Sequence, residues 1–172
     1  MKALEMANYI VWYANSSFDN ADLTNLKLQK ILYYVTTTLI KKNMLDNAFS
    51  EAIGKWKLGP VFPSVYHEFK NFGGRPITST IPNIRYIENP HDESDFDFEI
   101  EEFDGAYFEA CHEHECSIAR EVVDALIQKD AFELVNMTHK ESAWSNYESL
   151  IKEGDRTLEY NTSELKDARN II

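Results

Sequence analysis

Leu26-Lys27-Leu28-Gln29-Lys30-Ile31-Leu32-Tyr33-Tyr34 and, further along, Trp56-Lys57-Leu58-Gly59-Pro60-Val61-Phe62-Pro63-Ser64-Val65-Tyr66 are the two stretches on which the fold turns. In the first, Leu28, Ile31, Leu32, Val35 and Leu39 recur at the i, i+3, i+4, i+7, i+11 spacing of one helical stripe. Asp22 or Thr24 supplies the cap, and the helix closes near Lys41-Lys42-Asn43, where cations suit the negative end of its dipole. Tyr33 and Tyr34 are neighbours, so they point about 100° apart. One is expected in the core and the other at the rim, with its hydroxyl hydrogen-bonded. Lys27 and Lys30 lie three apart on one face. That face reads first as a solvated surface, with a contact for an acidic or carbonyl-rich partner as the rival.

The second stretch predicts a short extended segment from Phe49 to Leu58, a Gly59-Pro60 turn, and a helix with Pro63 in its first turn. Val65, Phe69 and Phe72 form that helix's inner face, and Gly73-Gly74 ends it. Trp56 either packs beneath the turn or, with Tyr66, anchors an interface.

Working outward, Leu4, Ala7, Val11 and Ala14 predict a helix over 3–14, broken at Asn15-Ser16-Ser17. From Pro76 to about His112 the pattern turns β-prone. Ile77, Ile81, Ile84, Tyr86 and Ile87 are punctuated by Pro82 and Pro90, while Phe96, Phe98 and Ile100 alternate with acids. Asp104-Gly105 suits a hairpin turn, although residues 106–116 also suit the start of the next helix. Helices follow over 117–129, from the Asp130/Glu133 cap pair to Met137, from Ser142 to about Lys152, and from Ser163 to Ile172. The expectation is a mainly α chain with a small β element (α+β), a single domain over 1–172 with an acidic, β-prone insertion at about 76–116.

The chain has 172 residues and a formal net charge of -12. Residues 1–75 hold 9 Lys/Arg and 6 Asp/Glu, 76–116 hold 1 and 12, and 117–172 hold 7 and 11, giving +3, -11 and -4. The middle segment is either a solvated acidic edge or a docking surface that steers a basic partner. Its charge repels phosphate, so nucleic acid is a poor partner for it. No apolar run is long enough to cross a bilayer and the N-terminus does not read as a secretory signal. Cys111 and Cys116 are too few for a disulfide framework. The expectation is a cytoplasmic protein with reduced thiols.

Chemistry is sparse. Cys111-His112-Glu113-His114-Glu115-Cys116 gathers four soft ligands. On a helix Cys111 pairs with His114 and His112 with Cys116, on different faces. On a strand His112, His114 and Cys116 share a face without Cys111. Neither arrangement gives zinc its tetrahedral shell, so a two-ligand or shared site competes with incidental Cys and His at a helix start. A dyad of His139 with Cys111 or Cys116 has no nucleophile elbow or oxyanion turn beside it. Gly59, Gly73-Gly74 and Gly105 are too scattered for a phosphate cradle. In Leu134-Val135-Asn136-Met137-Thr138-His139-Lys140-Glu141-Ser142-Ala143-Trp144, His139 marks a turn between helices and Trp144 fills the gap between them.

Three stretches in order, Lys27–Tyr34, Trp56–Tyr66 and Leu134–Trp144, resemble the signature of the SocA/Panacea family, the antitoxin domain of many bacterial and phage toxin–antitoxin pairs. The likeness covers roughly residues 4–75 and 117–172, and the acidic segment is where the chain is most individual. The resemblance implies a mainly helical domain with a small β element, no cofactor and no catalytic residue. It implies neutralisation of a toxin protein by direct binding, and the acidic segment adds the expectation that the toxin's surface is basic. Some related antitoxins hand the toxin to a host protease, and others regulate their own operon. The partner-binding residues expected on this basis are Lys27, Lys30, Tyr33, Tyr34, Trp56, Gly59, Pro60 and Tyr66, with Pro63, His139 and Trp144 as structural members of the motif. The rival reading is a metal-dependent hydrolase using the Cys/His cluster.

Overall fold

The computed structural model describes residues 1–44, 51–88 and 96–172. Among them the chain is mainly helical, with two small antiparallel two-stranded sheets. Helix α1 (Ala3–Ser17) runs against α2 (Asn25–Lys41). A hairpin of β1 (Gly54–Trp56) and β2 (Gly59–Val61) leads into α3 (Pro63–Phe69), which tightens into a 3-10 turn at Lys70–Phe72. Strands β3 (Asn83–Glu88) and β4 (Phe96–Glu101) form the second hairpin, in register Ile84↔Ile100. Then follow α4 (Gly105–Cys111), α5 (Glu113–Leu126), α6 (Ala131–His139), α7 (Ser142–Ser145), α8 (Glu148–Lys152) and α9 (Thr162–Lys166).

Helix α2 is the axis. Thr24 caps it, its hydroxyl accepting from the Lys27 amide. It touches α1, α3, α5, α6, α9 and β2, and every residue from Lys27 to Leu39 is buried. An apolar stripe alone predicts one buried face. Here all faces are covered, so the polar residues between the stripe positions also lie inside. Each wholly buried Leu, Ile, Val or Phe contributes about 1.5–3 kcal/mol of transfer free energy, and α1, α2, α3 and α5 together supply most of that core.

Several local expectations change. Helix α1 continues through Asn15-Ser16-Ser17, because Asn15 Nδ2 donates to the Ile77 carbonyl (3.1 Å) and Ser16 Oγ to the Trp12 carbonyl (2.7 Å). Polar side chains with partners of their own do not break a helix. Lys57-Leu58, not Gly59-Pro60, form the first hairpin's turn, with Trp56 paired to Gly59 and Lys55 to Pro60. Proline fits because β2 is an edge strand. Gly73 ends the α3 segment with φ +59°, as its position predicts. Asp104 is not a hairpin turn. It caps α4, accepting from the Tyr107 amide (2.9 Å), and the alternative of a helix from about 106 is the one realised. The stretch expected from Ser142 to Lys152 is two helices separated at Asn146-Tyr147. Asp130 caps α6, but Glu133 pairs with Lys129 instead of closing a capping box. Helix α9 is shorter than expected and opens with a capping box of Asn161 and Glu164. Phe49, expected to begin the first extended segment, and Pro90 lie outside the described residues.

The C-terminal segment closes the structure. The Lys55 amide donates to the Leu158 carbonyl (2.8 Å) and the Tyr160 amide to the Ile53 carbonyl (2.9 Å), laying the chain along the edge of β1. Lys55 is buried, yet its ammonium meets Glu164 (2.7 Å) and the Tyr147 ring (3.7 Å to the centroid).

Candidate functional site

The three motif stretches, far apart in sequence, meet around α2. Three of its side chains satisfy three backbone groups of the β2–α3 segment. Lys30 Nζ donates to the Pro60 carbonyl (2.8 Å), Gln29 Oε1 accepts from the Phe62 amide (2.9 Å), and Asn25 Nδ2 donates to the Tyr66 carbonyl (3.1 Å). Gln29 Nε2 also donates to Asn25 Oδ1 (3.1 Å), which fixes both amides. An extended segment against a helix leaves backbone groups that neither element satisfies by itself, and buried ones need partners. The polar residues of this helix are those partners.

Lys27 and Lys30 therefore lie inside, where a solvated face had been expected. Lys27 is 2% and Lys30 0% exposed. Lys27 Nζ donates to the Ile127 carbonyl at the end of α5 (2.7 Å). Burial holds the ammonium of Lys27 below its usual range and brings Lys30 down to about 7.

The tyrosines differ from expectation in the same way. Neither sits at the rim, and both rings are fully buried. Their hydroxyls converge on one carboxylate, Tyr33 donating to Glu141 Oε2 (2.7 Å) and Tyr34 to Oε1 (3.0 Å). Glu141 stands in the turn between α6 and α7 and also accepts from the Arg169 amide (3.3 Å). Tyr33 packs on Tyr34 at 5.2 Å and on Tyr160 at 5.3 Å between ring centres. Burial first, and the Glu141 charge second, keep both phenols far above their ordinary pKa.

The first hairpin locks against the third motif. Trp144 Nε1 donates to the Trp56 carbonyl (2.9 Å), and the His139 ring stacks on Trp144 at 3.5 Å and 11°. Burial, then the charge of Lys30, lowers the His139 pKa, so the ring is neutral at pH 7. Its Nε2 is buried and has no hydrogen-bond partner among the described residues. Pro63 occupies the first turn of α3. Gly59 and Pro60 are buried, whereas Trp56 is half-buried and Tyr66 is exposed. Trp56 and Tyr66 pack edge to face (5.2 Å, 66°). Of the eight expected partner-binding residues, these two reach the surface.

Gly59 lies where the three motifs touch. Its φ is +95°, and a Cβ there would stand 2.5 Å from Thr138 Oγ1 and 3.2 Å from Lys30 Cε. Gly59→Ala is expected to destabilise the fold by about 2–4 kcal/mol, from left-handed strain plus displacement of two buried side chains. Chemical denaturation followed by circular dichroism reads this directly, and a loss below about 1 kcal/mol would show that the junction yields.

The Cys/His cluster is divided between the end of α4 and the start of α5. Cys111 is exposed at the end of α4, Cys116 is buried on α5, and His112 lies against Phe108 (4.6 Å). No group of three or more His, Cys, Asp or Glu side chains among the described residues is placed to hold a metal ion. Burial pushes the Cys116 thiol up to about 12, the reverse of what an activated nucleophile needs.

Two polar clusters went unseen in the sequence. Glu141 lies within the third motif, and the need of two buried phenols for an acceptor is the clue that points to it. The other joins α1, α4 and α5. Arg120 donates to Glu109 and to the Tyr9 hydroxyl (3.1 Å), and Tyr9 donates to Glu109 (3.1 Å). No periodicity announces a cluster drawn from three elements.

No helix among the described residues is long and apolar enough to cross a membrane. No curated protein and no solved structure gives a significant match to the chain. The family model described as "Antitoxin SocA-like, Panacea domain" matches residues 28–145, which takes in all but the first residue of the three motifs and also the acidic segment. The chain belongs to the SocA-like antitoxin family defined by the Panacea domain.

Proposed function

We propose that this chain is the antitoxin of a toxin–antitoxin pair and neutralises a toxin protein by binding it directly. The observation that carries the reading is the family match over residues 28–145, a span in which the motif residues form one interlocked frame. Lys27, Lys30, Tyr33, Tyr34, Gly59 and Pro60 serve binding indirectly, by fixing the geometry of that frame. Trp56 and Tyr66 are the motif side chains available for contact, and an aromatic pair at a surface is a common anchor. Direct occlusion needs no catalytic group on the antitoxin, and the buried Lys27, Lys30, Tyr33 and Tyr34 are tied to carbonyls and a carboxylate of the fold. The toxin is expected to present a basic surface, which the -11 charge of residues 76–116 steers and orients.

The test is co-expression of the adjacent gene, under a tight promoter, with and without this chain. Growth arrest relieved by this protein, together with a stable complex of the two products, is the expected result. A harmless neighbour, or an arrest this chain does not relieve, would remove the reading.

A further inference from the structure

The described side chains of the second hairpin, at 83–85 and 98–101, are all exposed, and its two faces differ in chemistry. Side chains alternate across a strand, so Ile84, Phe98 and Ile100 share one face. Ile84 and Ile100 are directly opposed in the ladder and are 52% and 53% exposed, and Phe98 is 60% exposed. Arg85, Glu99 and Glu101 occupy the other face, also in solvent, with Arg85 and Glu101 paired at 3.0 Å. At the base of that acidic face, residues from the start of α1, the hairpin and the start of α4 enclose a groove of ≈ 380 Å³. Its charged lining is Lys2, Glu5, Arg85, Glu101, Glu102 and Asp104, two cations against four acids. Glu99 and Glu102 have no ion-pair partner among the described residues.

A cross-strand pair of isoleucines, each half in water, gives up about half of its hydrophobic stabilisation. Charge narrows the occupant. A second copy of this chain would bring its own acidic segment, of net charge -11, against the same charge. An anionic lipid surface is repelled for the same reason. What fits is a protein that straddles the hairpin's edge, with an apolar patch on the isoleucine face and Lys and Arg at its rim reaching round to Glu99 and the groove beside Glu102.

We propose that the β3–β4 hairpin is the toxin-docking arm, with Ile84 and Ile100 as its apolar contact and Glu99 and Glu102 as its steering charges. This rests on the antitoxin reading above. The test uses the full-length protein and the product of the adjacent gene. Ile84→Thr/Ile100→Thr removes apolar surface from exposed side chains while keeping β-branched residues in the ladder, so the thermal melt stays within a few degrees of wild type. It is expected to abolish growth rescue and to weaken co-purification at least about tenfold. Glu99→Lys/Glu102→Lys is expected to slow association about fivefold or more at low salt, with the difference shrinking as salt rises.

Rescue and binding by the isoleucine double variant within about twofold of wild type would overturn the assignment while leaving the antitoxin reading intact. A wild-type dimer in light scattering that this variant splits would also overturn it, giving the face to a second copy. Failure of wild type itself to rescue would defeat the antitoxin reading, and this inference with it.

Discussion

Glu141→Ala is expected to lower the melting temperature by about 10 °C or more, the largest effect of any single substitution outside the apolar core. The carboxylate accepts from both buried tyrosines of α2 (2.7 and 3.0 Å) and from the Arg169 amide. Removing it strands two phenolic hydroxyls in a dry environment, each costing about 1–3 kcal/mol. The sum, about 3–5 kcal/mol after allowing for the half-buried position of Glu141, is a large share of a total near 5–15 kcal/mol. Glu141→Gln keeps the shape and one acceptor oxygen, so about half that loss is expected. A double-mutant cycle supplies the sharper readout. Tyr33→Phe should cost clearly less in the Glu141→Ala background than in wild type, because the bond it deletes is already gone. Equal costs in the two backgrounds, or a Glu141→Ala melt within about 2 °C of wild type, would show that the tyrosine pair does not depend on this acceptor.

The same carboxylate shows where the sequence was legible and where it was not. Helix α2 could be read because five apolar residues repeat at helical spacing and a threonine stands ready to cap it. Pro63 at the start of α3 and Gly73 at its end follow from local backbone rules. The resemblance carried further than periodicity, linking three stretches that the structure brings together and that the family model spans. What could not be read was the direction of the polar side chains. Lys27, Lys30 and one of the two tyrosines look like surface residues because a stripe pattern assumes one covered face, whereas α2 has neighbours on all sides. Their partners are the carbonyls of Ile127 and Pro60 and the carboxylate of Glu141, residues about 30 to 107 positions away. Nothing local in a sequence encodes such a partner. The turn at Lys57-Leu58 was missed for a related reason. Gly59 takes its positive φ within the strand, to admit Thr138 and Lys30, and does not itself make the turn. The alternation of Phe96, Phe98 and Ile100 with acids did identify a strand, but alternation normally signals one buried face, and here Phe98 and Ile100 are 60% and 53% exposed.

Stability is expected to rise with pH from about 7 to about 9, and Lys30→Met should remove most of that rise. Burial takes the Lys30 ammonium from its ordinary 10.5 down to about 7. Between those values the unfolded chain holds a proton that the folded chain does not, so raising pH favours folding. At about 1.4 kcal/mol per unit the full span amounts to on the order of 4–5 kcal/mol, most of it gained by pH 9 or 10. Lys27, also lowered by burial, adds in the same direction. Groups with raised values set the upper limit. Cys116 at about 12, and the phenols of Tyr33, Tyr34 and Tyr160, keep their protons in the folded state while the unfolded chain loses them above about 9 and 10. Stability then falls again, which places the maximum near pH 9. Lys30→Met leaves the Pro60 carbonyl without its donor, a cost of about 1–3 kcal/mol that is independent of pH. At pH 7 this is offset by relief of the buried amine. The variant should therefore match wild type near neutrality and lose to it at pH 9. Urea unfolding followed by far-ultraviolet circular dichroism between pH 6.5 and 10 measures both curves. A wild-type midpoint that does not move between pH 7 and 9, or a variant that climbs as steeply, would mean that Lys30 keeps its ordinary proton affinity inside the fold. Its contact with the Pro60 carbonyl would then be that of a fully charged ammonium, stabilised by more than the structure shows around it.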